Sequence, residues 1–144
     1  MADISFPFFG DGITEESEVT ALPLYKEIAW DFQRNIPIMI NGNFKIVTGN
    51  EAIKTWCYKS LVTKRFREQI YSWNYGSEFE NLIGSQYTPS LAKAECVRYV
   101  EECLLINPYI KGISEIEVSF YEGKLDIYCK IETVYGSSEV EVSL

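Results

Sequence analysis

Apolar and polar residues alternate at every second position through the last third of the chain, which predicts strands with one buried face. The alternation is interrupted at Glu122-Gly123 and at Gly136-Ser137, where a glycine permits a tight turn. Three alternating segments joined in this way predict a C-terminal antiparallel β-meander. The apolar positions are Ile116, Val118, Phe120, Leu125, Ile127, Cys129, Ile131, Val140, Val142 and Leu144.

Two other segments space their apolar residues three and four positions apart, which predicts helices. The first follows Thr48, which stands three residues before Glu51 in the spacing of a capping box. The second begins at Thr88-Pro89, since proline suits the first helical position, and it ends before Pro108. Between them, Ser77 is predicted to cap a short helix. The apolar stripes of the two long helices are Ile53, Trp56, Cys57 and Leu61, then Ala92, Cys96, Val100, Cys103 and Leu104.

The order of these elements predicts the fold class. Ile28, Trp30 and Phe32 alternate as in a strand, and Asn41-Gly42 predicts a hairpin turn ahead of the first helix. We expect an α+β fold, a two-layer sandwich of mostly antiparallel sheet with two main helices on one face. Residues 1–24 are predicted to form an extended N-terminal arm, and residues 25–144 a single domain.

The arm has two open interpretations. Pro7 prevents a helix through the aromatic cluster Phe6, Phe8 and Phe9, and a polar acidic stretch follows. The aromatics would anchor the arm in a groove of a neighbouring subunit, or the segment is a frayed terminus or a strand on its own sheet.

The net charge and the composition limit the kinds of partner that we expect the protein to bind. A formal net charge of −8 and a pI near 4.6 oppose binding along a nucleic-acid backbone. The sequence has no apolar stretch long enough to span a bilayer, so we expect no membrane partner. Residues 52–67 nevertheless hold five basic residues and no acid. Such a local patch indicates a specific contact or, equally, a solvated helix face.

The sequence contains few of the residue patterns that are typical of metal, cofactor or catalytic sites. Histidine is absent, and the four cysteines show no Cys-x-x-Cys spacing and fall in apolar patterns typical of buried thiols. No glycine-rich phosphate loop or nucleophile motif is present, so we expect no cofactor and no metal. Glu68, Glu78 and Glu80 are candidates for the two carboxyl groups of a glycosidase, since aromatic residues that could stack on sugars lie near them in the sequence. Glu78 and Glu80, however, stand two positions apart on a predicted helix and therefore face different directions.

The segment from residue 61 to residue 84 is the best candidate for a binding surface. It sets Lys64, Arg65 and Arg67 beside several aromatics, ahead of a turn at Tyr75-Gly76. Arginine, tryptophan and tyrosine dominate the energetics of protein interfaces. Phe66 and Ile70 are expected to be the core-facing part of this segment.

Three groups of residues, in this order, resemble a known family. They are residues 48–53 (TGNEAI), residues 61–67 (LVTKRFR) and residues 71–78 (YSWNYGSE). Over residues 25–144 the chain resembles the XkdS family of PBSX-type prophage tails, small proteins of contractile-tail baseplates. It is more distantly similar to the lysozyme-like baseplate wedge protein of myophages and to the TssE subunit of type VI secretion systems. Thr63, Arg65 and Tyr75-Gly76 match the wider pattern, but no acid precedes the arginine here.

The resemblance implies a structural role. The subunit would sit on the wedge proteins of the baseplate and start sheath assembly by offering its terminal strand to the first sheath ring. It would thus belong to a large hetero-oligomeric ring in a virion or tail-like particle, assembled in the host cytoplasm, with hub or tube proteins as further neighbours. The residues implied in wedge contact are Thr63, Arg65, Arg67, Trp73, Tyr75 and Gly76. Those implied in pairing with sheath are Ser138, Glu139, Val140, Glu141, Val142, Ser143 and Leu144.

Alternative interpretations remain open at this point. The terminal strand is expected at a sheet edge, where Glu139 and Glu141 would instead discourage pairing with another chain. A peptidoglycan-degrading enzyme would depend on Glu68, Glu78 or Glu80, and a soluble adaptor protein would act outside any particle. The family resemblance implies neither hydrolysis nor a catalytic residue.

Overall fold

The computed structural model describes residues 22–63, 75–79, 82 and 88–144. The predicted short helix that Ser77 begins lies partly outside these residues. Phe66, Ile70, Glu68, Glu80 and nearly all of the predicted arm lie outside them entirely.

The fold is α+β, as predicted. In chain order its elements are β1 (Lys26–Ile28), β2 (Trp30–Asp31), β3 (Ile36–Pro37), β4 (Met39–Ile40), β5 (Asn43–Phe44), β6 (Ile46–Thr48), α1 (Gly49–Val62), α2 (Pro89–Leu104), β7 (Ile110–Tyr121), β8 (Lys124–Thr133) and β9 (Gly136–Ser143).

The C-terminal meander is confirmed, with β8 between β7 and β9 and both pairs antiparallel. Glu122 and Gly123 both have positive φ, 46° and 77°, which is the conformation of a two-residue hairpin turn. Strand β7 starts at Ile110, earlier than the alternation indicated, because register shifts near Gly112 and Ser114 break the period of two. The predicted inward face is buried along β8, whereas Phe120 at the end of β7 is 40% exposed.

The six short N-terminal strands form a three-cornered β unit rather than one continuous strand and hairpin. β1 pairs with β6, β2 with β3, and β4 with β5. At the centre the backbones of three residues bond in a ring: Ala29 N–H donates to Lys45, Lys45 N–H to Ile38, and Ile38 N–H to Ala29, at 2.8 to 2.9 Å. Each of the three segments therefore pairs with one neighbour before the ring and with the other neighbour after it. In this way its backbone N–H and C=O groups find hydrogen-bond partners within a very small unit.

Both helices bury the predicted stripes against the meander. Ile53, Cys57 and Leu61 of α1 are at most 1% exposed, and all five stripe residues of α2 are buried. Trp56 is half-buried against the same core. Thr55 and Ser60 of α1 are buried as well, because the β unit and α2 cover further faces of this helix.

The predicted capping box is wrong. Thr48 occupies the N-cap position of α1, but its side chain makes no capping hydrogen bond. Thr48 is also the last residue of β6, paired with Lys26, and the following Gly49 N–H donates to the Tyr25 carbonyl at 3.0 Å. Strand pairing thus sets the start of the helix, and it supplies part of what a side-chain cap would give.

Candidate functional site

Strand β9 lies at an edge of the meander, and its backbone pattern defines which groups face outward. Leu125 and Leu144 exchange both backbone hydrogen bonds, at 3.0 and 2.8 Å. Because bonded pairs alternate along an antiparallel ladder, Ser138, Val140 and Val142 also bond to β8. The N–H and C=O groups of the odd-numbered residues of β9 therefore point away from the sheet, towards the free edge.

The side chains of β9 follow the same alternation. Val140 and Val142 are buried, at 1% and 3% exposure, on the face that the helices cover. Glu139 and Glu141 are exposed on the opposite, outer face. A strand added along this edge would therefore extend both the core face and the outer face of the sheet.

The start of β9 is tied to the start of α1 through Asn50. The Asn50 side-chain amide donates to the Ser137 carbonyl at 3.4 Å, and its oxygen accepts a hydrogen bond from the Thr133 hydroxyl. Ser137 is one of the odd-numbered residues whose carbonyl points outward, so Asn50 occupies that end of the edge. The stretch left open among the described residues runs from Glu139 to Ser143.

The other end of β9 borders a groove of about 920 Å³. Residues of the β2–β3 turn, the end of α1 and the ends of all three meander strands line it. The Phe32 and Tyr58 rings pack at a centroid distance of 4.6 Å, and the Tyr58 hydroxyl donates to the Phe32 carbonyl at 3.2 Å. The groove thus has a fixed apolar wall beside Val142 and Leu144.

The outer face of the meander is acidic around Tyr128. Glu117, Tyr128 and Glu141 lie side by side across the three strands, and Glu115, Lys130 and Glu139 form the neighbouring row. Desolvation and the surrounding glutamates, Glu139 first among them, raise the pKa of Tyr128. The phenol therefore remains protonated and able to donate a hydrogen bond.

The C-terminal end of α1 holds the second predicted surface. Thr63 ends the helix, and both its N–H and its hydroxyl donate to the Lys59 carbonyl, at 3.0 and 2.7 Å. Ser77 returns to this point: its N–H donates to the Thr63 carbonyl and its hydroxyl to the Leu61 carbonyl, at 2.8 and 2.7 Å. The sequence predicted that Ser77 would cap the helix that follows it. The described residues show that its hydroxyl closes the end of α1, and the helix that follows lies partly outside them.

The Tyr75-Gly76 turn lies beside this helix end. Gly76 is buried with φ of 102°, a conformation that side chains other than glycine rarely adopt. The ring of Tyr75 is half-buried and meets Trp56 edge-on at 5.9 Å. The structure therefore brings Thr63, Tyr75 and Gly76 together, whereas Arg65, Arg67 and Trp73 lie outside the described residues.

The basic patch is in part internal. Lys59 forms an ion pair with Glu27 at 2.8 Å, and both side chains are largely shielded from solvent. The Lys59 ammonium also lies 4.8 Å from the centre of the Trp30 ring. Lys59 thus fastens α1 to the β unit, and the interpretation of the patch as one solvated or partner-binding face is wrong at this position.

The cysteines are buried thiols with no disulfide among them. Burial raises the pKa of Cys96 to about 12 and that of Cys129 to about 11. They therefore act as core residues rather than as nucleophiles. The described residues contain no cluster of three or more potential metal ligands, and no described helix is long and apolar enough to cross a membrane.

Comparison with known proteins identifies the family. Residues 26–136 match the family described as contractile injection system sheath initiator. The chain belongs to this family. It is also 30% identical over 132 residues to the phage-like element PBSX protein XkdS of Bacillus subtilis strain 168, which covers 90% of this chain and 94% of that protein. The predicted resemblance is confirmed.

Membership among the sheath initiators assigns the chain to the structural components of contractile tails. The match runs from β1 to the first residue of β9, so it includes the β unit, both helices and most of the meander. The exposed length of β9 follows the matched region. The role of this edge therefore depends on its own geometry and not on the family match.

Proposed function

We propose that this sheath initiator joins the baseplate to the sheath through two separate surfaces. A strand of the tail sheath protein pairs with the free edge of β9, and the end of α1 with the segment after it contacts the baseplate wedge proteins. The subunit thereby works as part of a large ring in a virion or tail-like particle, which is assembled in the host cytoplasm. Baseplate hub or tube proteins are its further neighbours in this proposal.

The open edge of β9 carries the sheath half of the proposal. From Glu139 to Ser143 the outward backbone groups have no partner among the hydrogen bonds of the described residues. Asn50 and the β8 ladder hold this strand in place from the other sides, so little ordering is needed before a new strand can pair. The groove beside Val142 accommodates the inward side chains of that strand.

A proline on the edge tests strand pairing with little change to the sheet. The N–H of Glu141 points away from β8, so Glu141→Pro removes an outward donor while the internal ladder remains. We expect the folded variant to lose co-purification with the tail sheath protein, and tails made with it to lack sheath. Glu141→Gln removes the charge but keeps the backbone N–H, so comparison with Glu141→Pro shows which of the two losses weakens sheath binding.

Phe120→Pro is the matched control. The same alternation places the Phe120 N–H on the opposite edge of the meander, at the far side of β7. This variant should retain the sheath. A Glu141→Pro protein that unfolds at the wild-type temperature and still binds the sheath at wild-type strength would show that β9 is not the pairing edge.

The wedge half of the proposal rests on the matched residues around the end of α1. The bond from the Ser77 N–H to the Thr63 carbonyl holds the Tyr75-Gly76 turn beside Thr63. Arg65, Arg67 and Trp73 belong to the segment between Thr63 and Tyr75 in the sequence. Arg65→Ala together with Arg67→Ala should abolish co-purification with wedge proteins and leave sheath binding intact. Lys93→Ala on the exposed side of α2 is the control, and unchanged wedge binding in the double variant would contradict this half.

We also propose that the chain is not an enzyme. Of the three glutamates considered for glycoside hydrolysis, Glu78 is half-buried, and Glu68 and Glu80 lie outside the described residues. The purified protein should leave a peptidoglycan suspension turbid. Clearing of the suspension that disappears in Glu68→Gln, Glu78→Gln or Glu80→Gln would establish the enzymatic alternative instead.

A further inference from the structure

At both ends of β9, the side chains on the outer face of the sheet form hydrogen bonds with residues of β8. Ser137 donates to Glu132 at 2.7 Å, and Ser143 donates to Asp126. Glu139 faces the Tyr128 hydroxyl, and its interaction with the phenol helps to raise the pKa of Tyr128. Among the described residues, no hydrogen bond or ion pair includes the Glu141 carboxylate. It therefore remains available at the free edge.

Among the described residues, the charged side chains nearest Glu141 are mainly acidic. Its cross-strand neighbour is Tyr128, and Glu117 lies beyond Tyr128 in the same row. The adjacent row places Lys130 between Glu115 and Glu139, so that lysine has two nearer acids. Negative potential thus concentrates on the outer face beside the edge, where an added strand would place every second side chain.

On the inner face of the sheet, the surroundings of β9 are apolar rather than acidic. Val140 and Val142 are buried, and the groove beside Val142 is walled by Tyr58 and Val62 of α1. A polar side chain placed against this apolar part of the wall would lose its hydration without gaining a hydrogen bond from Val62 or Val142. An added strand therefore gains stability when its inward side chains are apolar.

We propose that the strand that pairs with β9 alternates apolar and basic residues, with a lysine or arginine opposite Glu141. This inference rests on the proposed function, since it specifies the partner strand that the β9 edge recruits. Apolar residues of the partner lie opposite Val140 and Val142. Glu141 thereby selects the partner and its register, because a shift of one residue would bring an apolar side chain to the carboxylate and a charge into the groove.

Two synthetic peptides test the charge selection directly. Each has seven residues with blocked ends; one alternates valine with lysine and the other alternates valine with glutamate. Titration into the isotope-labelled protein, followed by NMR, should shift the amide signals of Glu139, Glu141 and Ser143. We expect the lysine peptide to bind more tightly by up to about fivefold for each cross-strand charge pair, and this preference to shrink in high salt.

Charge reversal at Glu141 provides the decisive comparison. Glu141→Lys should remove or invert the preference between the peptides. Glu101→Lys, an identical charge change on the exposed face of α2, should retain it. Equal affinity of the wild type for both peptides, or an equal effect of the two substitutions, would overturn the proposal and indicate that net charge alone acts.

The proline variant distinguishes this inference from the proposed function. Glu141→Pro should abolish the binding of both peptides, because pairing at the edge is prevented. If it does so while Glu141→Lys leaves the preference unchanged, strand pairing holds and the charge selection is wrong. If neither peptide shifts the amides of β9 in the wild type, the pairing edge itself is contradicted.

Discussion

The Ser77 hydroxyl donates a hydrogen bond of 2.7 Å to the carbonyl of Leu61, sixteen residues earlier in the chain. Leu61 is in the last turn of α1, where carbonyl groups have no partner within the helix. Both residues are buried, so water does not replace the bond. The segment between them, which contains the proposed wedge contacts, is therefore fixed at its two ends to one point of the fold.

Removal of this bond should destabilise the protein measurably. Ser77→Ala leaves the Leu61 carbonyl buried with its closest donor gone, and we expect a loss of about 1–3 kcal/mol in the free energy of unfolding. Urea denaturation measures this loss. Ser119→Ala, on an exposed strand position, should change stability by less than about 0.5 kcal/mol, and equal losses in both variants would refute the capping role.

Asn50 should control the mobility of the start of β9. Asn50→Ala removes the bonds to Ser137 and Thr133, at an expected cost of about 1–2 kcal/mol. Amide hydrogen exchange should accelerate at Ser138, near the lost tie, and remain slow at Leu144. Asn43→Ala, at an exposed position of the β unit, is the control, and uniform acceleration along β9 would argue against a local tie.

The ion pair between Lys59 and Glu27 should contribute more than a surface pair. Lys59→Met keeps the stem of the side chain but removes the charge that meets Glu27 and Trp30. We expect a loss of about 1–2 kcal/mol, between the values for exposed and buried pairs. A double-mutant cycle with Glu27→Gln isolates the pair, and a coupling energy near zero would assign the loss to the Trp30 contact instead.

Stability should fall in alkaline solution because the cysteine thiols lose their protons in the unfolded chain before they do so in the folded one. Burial raises the pKa of Cys129 from 9.0 to about 11, so above pH 9 the unfolded chain releases a proton that the folded chain retains. The stabilisation is therefore complete below pH 9 and is lost as pH rises towards 11, with a slope of about 1.4 kcal/mol per pH unit for each thiol. Thermal or urea unfolding across this range, under reducing conditions, measures the slope.

Cys129→Ala is the matched test of that slope. The variant lacks one titrating thiol, so its stability should fall less steeply between pH 9 and pH 11, even if it is less stable at pH 7. Cys96, with a pKa of about 12, continues to contribute at higher pH. An unchanged slope would show that Cys129 does not titrate on unfolding in this range.

Local patterns in the sequence were sufficient for the helices and the meander. Alternation at every second position predicts a half-buried strand regardless of its neighbours, and Leu125, Ile127 and Cys129 are buried accordingly. Val140 and Val142 showed in the same way which face of the last strand is internal. The resemblance to a known family came from short segments whose order along the chain is visible without a structure.

Contacts between distant residues were decided by tertiary structure. Nothing near Ser77 indicates that its hydroxyl reaches Leu61, and nothing near Asn50 indicates Ser137, because these partners are separated by 16 and 87 positions. The capping box at Thr48 failed for the same reason, since a strand partner fixes the backbone there. The ring of hydrogen bonds at Ala29 likewise needs three segments to meet in space.

The sequence by itself therefore determined the α+β class, the buried faces and the family, because each depends on residue type and spacing along the chain. The tertiary structure decided which groups remain open. The outward backbone of β9 and the carboxylate of Glu141 are defined by what their neighbours leave unpaired, and those neighbours are strands and helices brought together by folding.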